Sequence, residues 1–150
     1  MKRIILIVTI YIISFNFVYA GIIKPNKNLS AYDVIKIQLE ALKNNDENDN
    51  GIKQTWVFAH PKNKEITGPY PRFRIMIYDV HYSLLLNHYS HNINLIMNSQ
   101  KKYVFGVKIL DKRKKQFFYE WHVEKGNENN CNSCWFTTVV SMPTSQGSSI

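Results

Sequence analysis

The sequence predicts an α+β domain in which N-terminal helices pack on a bent antiparallel sheet. Three observations carry this reading. Apolar residues recur at helical spacing between Ala31 and Leu42, and again on either side of a proline-rich break. From His91 onward the apolar period changes to two. An aromatic content of 13%, with nine Tyr and eight Phe, suits strands and a pocket-bearing sheet better than a helical bundle. Helices first and strands afterwards is the α+β order, and 150 residues are one domain's worth.

The chain opens with Lys2 and Arg3, an apolar run from Ile4 to Ile13, and Val18-Tyr19-Ala20 before Gly21. This is the build of a secretory signal peptide, residues 1–20, cleaved after Ala20. The alternative is an uncleaved membrane anchor, although Ser14 and Asn16 interrupt the run. Residues 21–29 form a polar lead-in, 30–143 the single domain, and 144–150 a flexible Ser- and Gly-containing tail. The formal charge is +8; without Lys2 and Arg3, 17 basic residues face 11 acidic ones, a net of +6. Such a balance favours anionic partners, and for an exported chain these would be lipid headgroups or acidic polysaccharide, with no nucleic acid expected.

Ser30 stands where a helix N-cap belongs, with Asp33 three residues on. Ala31, Ile35, Leu39 and Leu42 then give the buried stripe of a first helix. Asn28-Leu29-Ser30 also matches a glycosylation acceptor, but a glycan there would crowd the helix start. After the polar breaker 44–51, Ile52, Trp56 and Ala59 share a helical face until Pro61, which biases His60 away from helical geometry. Lys62 to Thr67 reads as a loop. Thr67 or Gly68 caps the next helix, whose first turn takes Pro69 and Pro71 and whose buried face is Phe73, Met76 and Ile77. Residues 79–87 read as a short turn carrying Tyr82 and Leu85 inward. Four strands follow. Ile93, Leu95 and Met97 alternate along the first, Tyr103 to Ile109 along the second, Phe117 to Val123 along the third, and Trp135 to Met142 forms the last, ended by Pro143.

The stretch from Phe58 to Phe73, "FAHPKNKEITGPYPRF", resembles an uncharacterised family catalogued as domain of unknown function 4864, found in bacteria and photosynthetic eukaryotes. Leu39, Leu42, Phe58, Ala59, Pro61, Asn63, Thr67, Gly68, Pro69, Phe73, Met76, Tyr82, Leu85, Trp121 and Trp135 carry the resemblance, which spans most of the chain after residue 20. Where that family tends to have Ser before the first proline, this chain has His60. The order of elements is also similar to the cystatin-like or nuclear transport factor two-like architecture. No activity comes with the family. Pro61, Asn63, Gly68, Pro69 and Phe73 are expected to be structural, shaping a pocket rim without supplying a catalytic group.

Cys131-Asn-Ser-Cys134 is the only cysteine pair. A strand follows it where a thiol-redox site would need a helix, and no second ligand pair completes a zinc site, so a small disulfide ranks first. His88 and His91 have helical ligand spacing in a segment expected to be a loop, which makes them surface histidines. His122 lies between Glu120 and Glu124 on one strand face; were that face concave, general acid–base chemistry would be open to it. The alternative is a solvated charge cluster. Ketosteroid isomerases share the resembled architecture and use a carboxylate base with acidic hydrogen-bond donors. Candidate equivalents are Asp79 with Tyr78, or Glu120 with Tyr103. Lys101, Lys102, Lys108, Lys112, Arg113, Lys114 and Lys115 cluster on one expected hairpin, opposed there only by Asp111. They offer either an anionic-surface contact or ordinary edge protection. Arg72 and Arg74 start a helix, where the dipole disfavours cations, and Arg72 is placed to reach the preceding loop.

Three functions remain in play. The first, favoured by the absence of a catalytic motif, is an exported, non-catalytic domain, without cofactor or metal, that binds a small apolar ligand or a partner in the sheet's concavity. The second is a small isomerase, dehydratase or hydrolase using His122 or Asp79. The third is an envelope interaction protein engaging anionic surface through the basic hairpin.

Overall fold

The computed structural model describes residues 21–128 and 131–148. The expected signal peptide, residues 1–20, lies outside the described residues. Among the described residues, four helices pack with a five-stranded antiparallel sheet, the α+β order read from the sequence.

Helix α1, Ala31–Lys43, starts from a capping box: Asp33 N–H donates to the Ser30 hydroxyl at 3.1 Å, and Ser30 N–H donates to the Asp33 carboxylate at 2.9 Å. Its buried stripe is Ala31, Val34, Ile35, Gln38, Leu39 and Leu42. Helix α2, Asn50–Val57, crosses α1 so closely that a Cβ on Gly51 would lie 2.1 Å from the Ala41 carbonyl oxygen. Only glycine fits that crossing. Ala59 lies beyond the helix. Phe58, Ala59 and His60 instead run beside a strand, with Thr137 N–H donating to the Phe58 carbonyl and His60 N–H donating to the Thr137 carbonyl, both at 2.8 Å.

Residues 62–67, expected as a loop, belong to helix α3, Pro61–Thr67. Pro61 occupies the first helical position, where its missing N–H costs nothing, and His60 caps it by accepting the Lys62 N–H on Nδ1 at 3.2 Å. The helix buries no residue and therefore shows no apolar stripe. Lys64 ties it to the sheet through Glu128 at 2.7 Å. Gly68, at φ 83°, turns the chain between helices, and its left-handed φ is the conformation glycine supplies. Pro69, not Gly68 or Thr67, is the N-cap of α4, Tyr70–Ile77, with Pro71 in its first turn. Phe73 and Ile77 are buried, and Trp56 packs on Phe73 with ring centroids 4.9 Å apart. A single 3₁₀ turn, Ser83–Leu85, carries Leu85 into the core.

The strands β1 (Ser90–Asn98), β2 (Lys102–Leu110), β3 (Lys115–Glu128) and β4 (Cys131–Val140) form a meander in that order. The segment expected to be a flexible tail instead contributes β5, Thr144–Ser148, which pairs with β3. The reason is the length of β3. Its 14 residues outrun β4, which pairs only with Trp121 to Glu128, so the stretch from Lys115 to Phe118 is left for β5. Pro143 interrupts the edge because it has no N–H to give. Ser141 bridges the gap, donating its N–H to the Glu120 carbonyl at 2.9 Å and accepting the Glu120 N–H on its hydroxyl at 2.8 Å.

One sheet face carries Phe105, Val107, Ile109, Tyr119, Trp121 and Val123 into a core shared with α1, α2 and α4. Strand β1 departs from its expected burial. Leu95 and Met97 are more than half exposed, as is Ile96, because β1 is an edge strand and its register shifts between Leu95 and Met97.

Candidate functional site

The helices and the inner sheet face leave a cavity of about 180 Å³ between them. Leu42, Phe73, Ile77, Leu85, Trp121 and Val140 supply its apolar wall, and Asn63, Thr67, Met76 and Val139 stand where it meets the surface. Of the five residues assigned to the proline-rich motif, Asn63 and Phe73 line the cavity. Pro61, Gly68 and Pro69 set the backbone that brings α3 and α4 over it.

A bulge in β4 shapes the floor. The register with β3 shifts so that Val123 faces Thr137 while His122 faces Val139, leaving Thr138 as the extra residue. The bulge turns Thr137 and Val140, three residues apart, both toward the cavity. Thr137 is buried at the centre of a polar chain. Trp121 Nε1–H donates to the Thr137 hydroxyl at 3.0 Å, and that hydroxyl donates to Gln38 Oε1 at 2.5 Å. Gln38 Nε2–H donates to the Thr55 carbonyl at 3.0 Å, and the Thr55 hydroxyl donates to the Gly51 carbonyl at 2.9 Å. This chain joins α1, α2, β3 and β4 through their backbones and side chains at the cavity floor. At the side, the Tyr82 hydroxyl donates to the Val140 carbonyl at 3.1 Å.

Sequence reasoning passed over Gln38 and Thr137. A signal for Gln38 was present: it falls three residues after Ile35 and four before Leu42, on the apolar stripe, where a polar side chain must find a buried partner. Thr137 had no such signal, since its inward position depends on the bulge.

The residues proposed for catalysis stand elsewhere. His122 and Glu120 lie on the sheet face opposite the helices, away from the cavity; they approach each other to 3.4 Å, and Glu120 is exposed. Glu124 of the same face pairs with Lys102 at 3.1 Å. Asp79 is an exposed turn residue whose carboxylate accepts the His81 N–H at 3.1 Å. Tyr78 does not act with it: the Tyr78 hydroxyl donates to Asp49 at 2.6 Å. Tyr103 packs inward against Trp135 while Glu120 points outward, so that pair is not formed. None of these residues lines the cavity.

Among the described residues, Asp49 is the carboxylate that the fold does bury. It sits at φ 57° before α2 and receives the Tyr78 hydroxyl, Asn45 Nδ2 and Arg74 Nε. Burial alone would push its carboxyl up, but these hydrogen bonds and the Arg74 charge hold it below the usual range. Arg74 thereby ties α4 to the α1–α2 connection. Arg72 instead lies against Gly68.

His88 and His91, expected at the surface, form a pair in which His88 is buried and His91 half-buried. His88 is 3% exposed, with Nδ1 2.7 Å from the Leu85 carbonyl and Nε2 2.7 Å from His91 Nδ1. His91 Nε2 lies 3.5 Å from Glu40 of α1. Burial pushes the His88 imidazole down to about 4 and lowers that of His91, with Glu40 acting in the opposite direction on both. Among the described residues no group of three or more His, Cys, Asp or Glu is arranged to hold a metal ion.

Cys131 and Cys134 are disulfide-bonded at the start of β4 and form a small second cluster with Phe136. The basic residues do not make one patch. Lys101 and Lys102 lie at the β1–β2 turn, and Lys112 to Lys115 at the β2–β3 turn, at opposite ends of β2 and roughly 25 Å apart at strand rise. Among the described residues no helix is long and apolar enough to cross a membrane. No family model, curated protein or solved structure matches the chain.

Proposed function

We propose that this chain is a non-catalytic binding domain that holds a small apolar or amphipathic ligand in the cavity between α1, α3, α4 and the sheet. The observation that carries the reading is the cavity: apolar walls, a few convergent polar groups on a rigid floor, and an opening beside Asn63 and Thr67. Its lining contains no pair of titratable groups that could exchange a proton with a substrate, which favours binding over the isomerase-like alternative. The separation of the basic clusters weakens the anionic-surface alternative.

We further propose that the chain is exported, with cleavage after Ala20, and that it belongs with the uncharacterised family it resembles, in a cystatin-like or nuclear transport factor two-like architecture. The disulfide supports an oxidising compartment. The run of helices followed by a meander supports the architecture. The test is native mass spectrometry of protein purified from its own compartment, alongside intact mass after denaturation. A retained small molecule and an N-terminus at Gly21 are expected. Protein without any bound mass, and inert to every compound soaked into it, would overturn the binding reading; the uncleaved chain in membranes would overturn export.

A further inference from the structure

We infer that the ligand is uncharged, about the size of one substituted ring, and presents a hydrogen-bond acceptor to the side-chain amide of Gln38. The inference rests on the binding reading above and narrows it.

Size follows from volume. A cavity of about 150 Å³ lined by aliphatic and aromatic side chains holds benzene, so about 180 Å³ admits one ring with a small substituent. A fused polycyclic ligand would have to leave most of its surface outside.

Charge follows from the lining. Its one titratable side chain is Tyr82, and the Tyr82 hydroxyl is committed to the Val140 carbonyl. A carboxylate or ammonium on the ligand would enter with no counter-charge within the walls. Desolvating an unpaired ion costs several kcal/mol or more, so a charged ligand is excluded where its neutral counterpart is not.

The polar handle follows from counting hydrogens. A glutamine amide nitrogen has two to donate. Gln38, 1% exposed, gives one to the Thr55 carbonyl, and among the described residues its Nε2 makes no second bond. Gln38 Oε1 already accepts from Thr137, and the Thr137 hydroxyl hydrogen is used in doing so. The unmet demand on the floor is therefore a donor. An unused lone pair is tolerated, but a buried donor without an acceptor is costly. A ligand carbonyl or ether oxygen answers it.

The test is a matched series titrated into the purified protein by calorimetry at neutral pH: ethylbenzene, acetophenone and benzoate. Acetophenone is expected to bind about tenfold more tightly than ethylbenzene, the value of one recovered hydrogen bond. Benzoate is expected to bind at least about a hundredfold more weakly than acetophenone. Gln38→Met, close in shape and without the donor, should abolish or reverse the preference for acetophenone over ethylbenzene, because the ketone oxygen is then buried unpaired. If that variant does not fold, the wild-type series decides by itself. Equal binding of acetophenone and ethylbenzene, or benzoate as tight as either, overturns the inference and leaves the binding reading standing. If no member binds, the inference also fails. The binding reading then falls only if native mass spectrometry shows no other retained molecule.

Discussion

His88 Nε2 lies 2.7 Å from His91 Nδ1, and this contact fixes the protons of both rings. His88 Nδ1 faces the Leu85 carbonyl and must carry a hydrogen, so neutral His88 accepts on Nε2 and His91 must donate from Nδ1. Protonated His91 keeps that bond and offers its second N–H to Glu40. Protonated His88 keeps it only if His91 moves its hydrogen to Nε2, which faces Glu40, and accepts on Nδ1; two protonated rings would bring N–H groups face to face. The pair holds the start of β1 against α1 and the 3₁₀ turn, and burial disfavours adding a proton to His88 there.

Acid should therefore loosen this corner first. The His88 folded value of about 4 lies below its ordinary 6.5, so the unfolded chain binds the extra proton between these pH values. The contribution to stability is complete above about pH 6.5 and is lost as pH falls toward 4, amounting to roughly 3 kcal/mol. Urea unfolding at pH 7.5 and 4.5 should show most of that loss, and His88→Gln should remove the His88 share of the slope, leaving what His91 and His60, also lowered by burial, contribute in the same window. Asp33, Asp46 and Asp49, held below the ordinary carboxylate value of 3.8, give up their contribution at lower pH and do not mask it. A wild-type stability flat over this window would show that His88 is not buried in solution.

The cavity floor makes a second prediction. Thr137→Val keeps shape but leaves Trp121 Nε1–H without an acceptor and Gln38 Oε1 without its donor. The cost should be about 2–3 kcal/mol in denaturant unfolding, since both orphaned groups are buried. Thr138→Val, one residue away, should cost under about 1 kcal/mol, because its hydroxyl makes only partly exposed contacts at 3.4 Å. Equal costs at the two positions would contradict the assigned network.

How far the sequence foretold these features follows the range of the interactions that set them. Helix α1 was legible because its cap and stripe lie within its own residues, and β3 because its alternation is strict. Helix α3 was not, since a helix that buries nothing has no stripe, and Pro61 ends one element and starts the next equally well. Strand β5 answers an edge created by the unequal lengths of β3 and β4, which no local pattern encodes. The same holds at the site. Asn63 and Phe73 were placed at the pocket by the motif, whereas Thr137 enters through a bulge and His88 is buried by packing against a distant helix.

Phe73 links the proline-rich motif to the core, at 5% exposure and in ring contact with Trp56. Phe73→Ala should cost about 3–5 kcal/mol and enlarge the cavity, through lost transfer energy and the space left behind. His60→Ser should stay within about 1 kcal/mol of wild type, because serine also caps a helix whose first residue is proline. The loss is limited to ring packing, as His60 meets Phe136 edge-on at 6.1 Å. A large change in retained ligand on His60→Ser, with circular dichroism unchanged, would show that this imidazole has a role beyond the cap.

The disulfide should be complete but modest in effect. Cys131 and Cys134 are three residues apart, so the loop they close restricts the unfolded chain little, and the chain-entropy model assigns about 2 kcal/mol to so short a loop. Ser133, at φ 60°, stands in the left-handed region inside that turn, and its N–H donates to the Asn127 side chain at 2.8 Å. That bond and the β3–β4 ladder hold the turn without help from sulfur. Alkylation without reductant should leave both cysteines unlabelled, and the Cys131→Ala, Cys134→Ala double variant should stay folded with stability lower by about that amount. Rapid labelling of both thiols in protein purified under air would sink the assignment. A double variant that fails to fold would show instead that the bond supports more of the β3–β4 hairpin than its loop length implies.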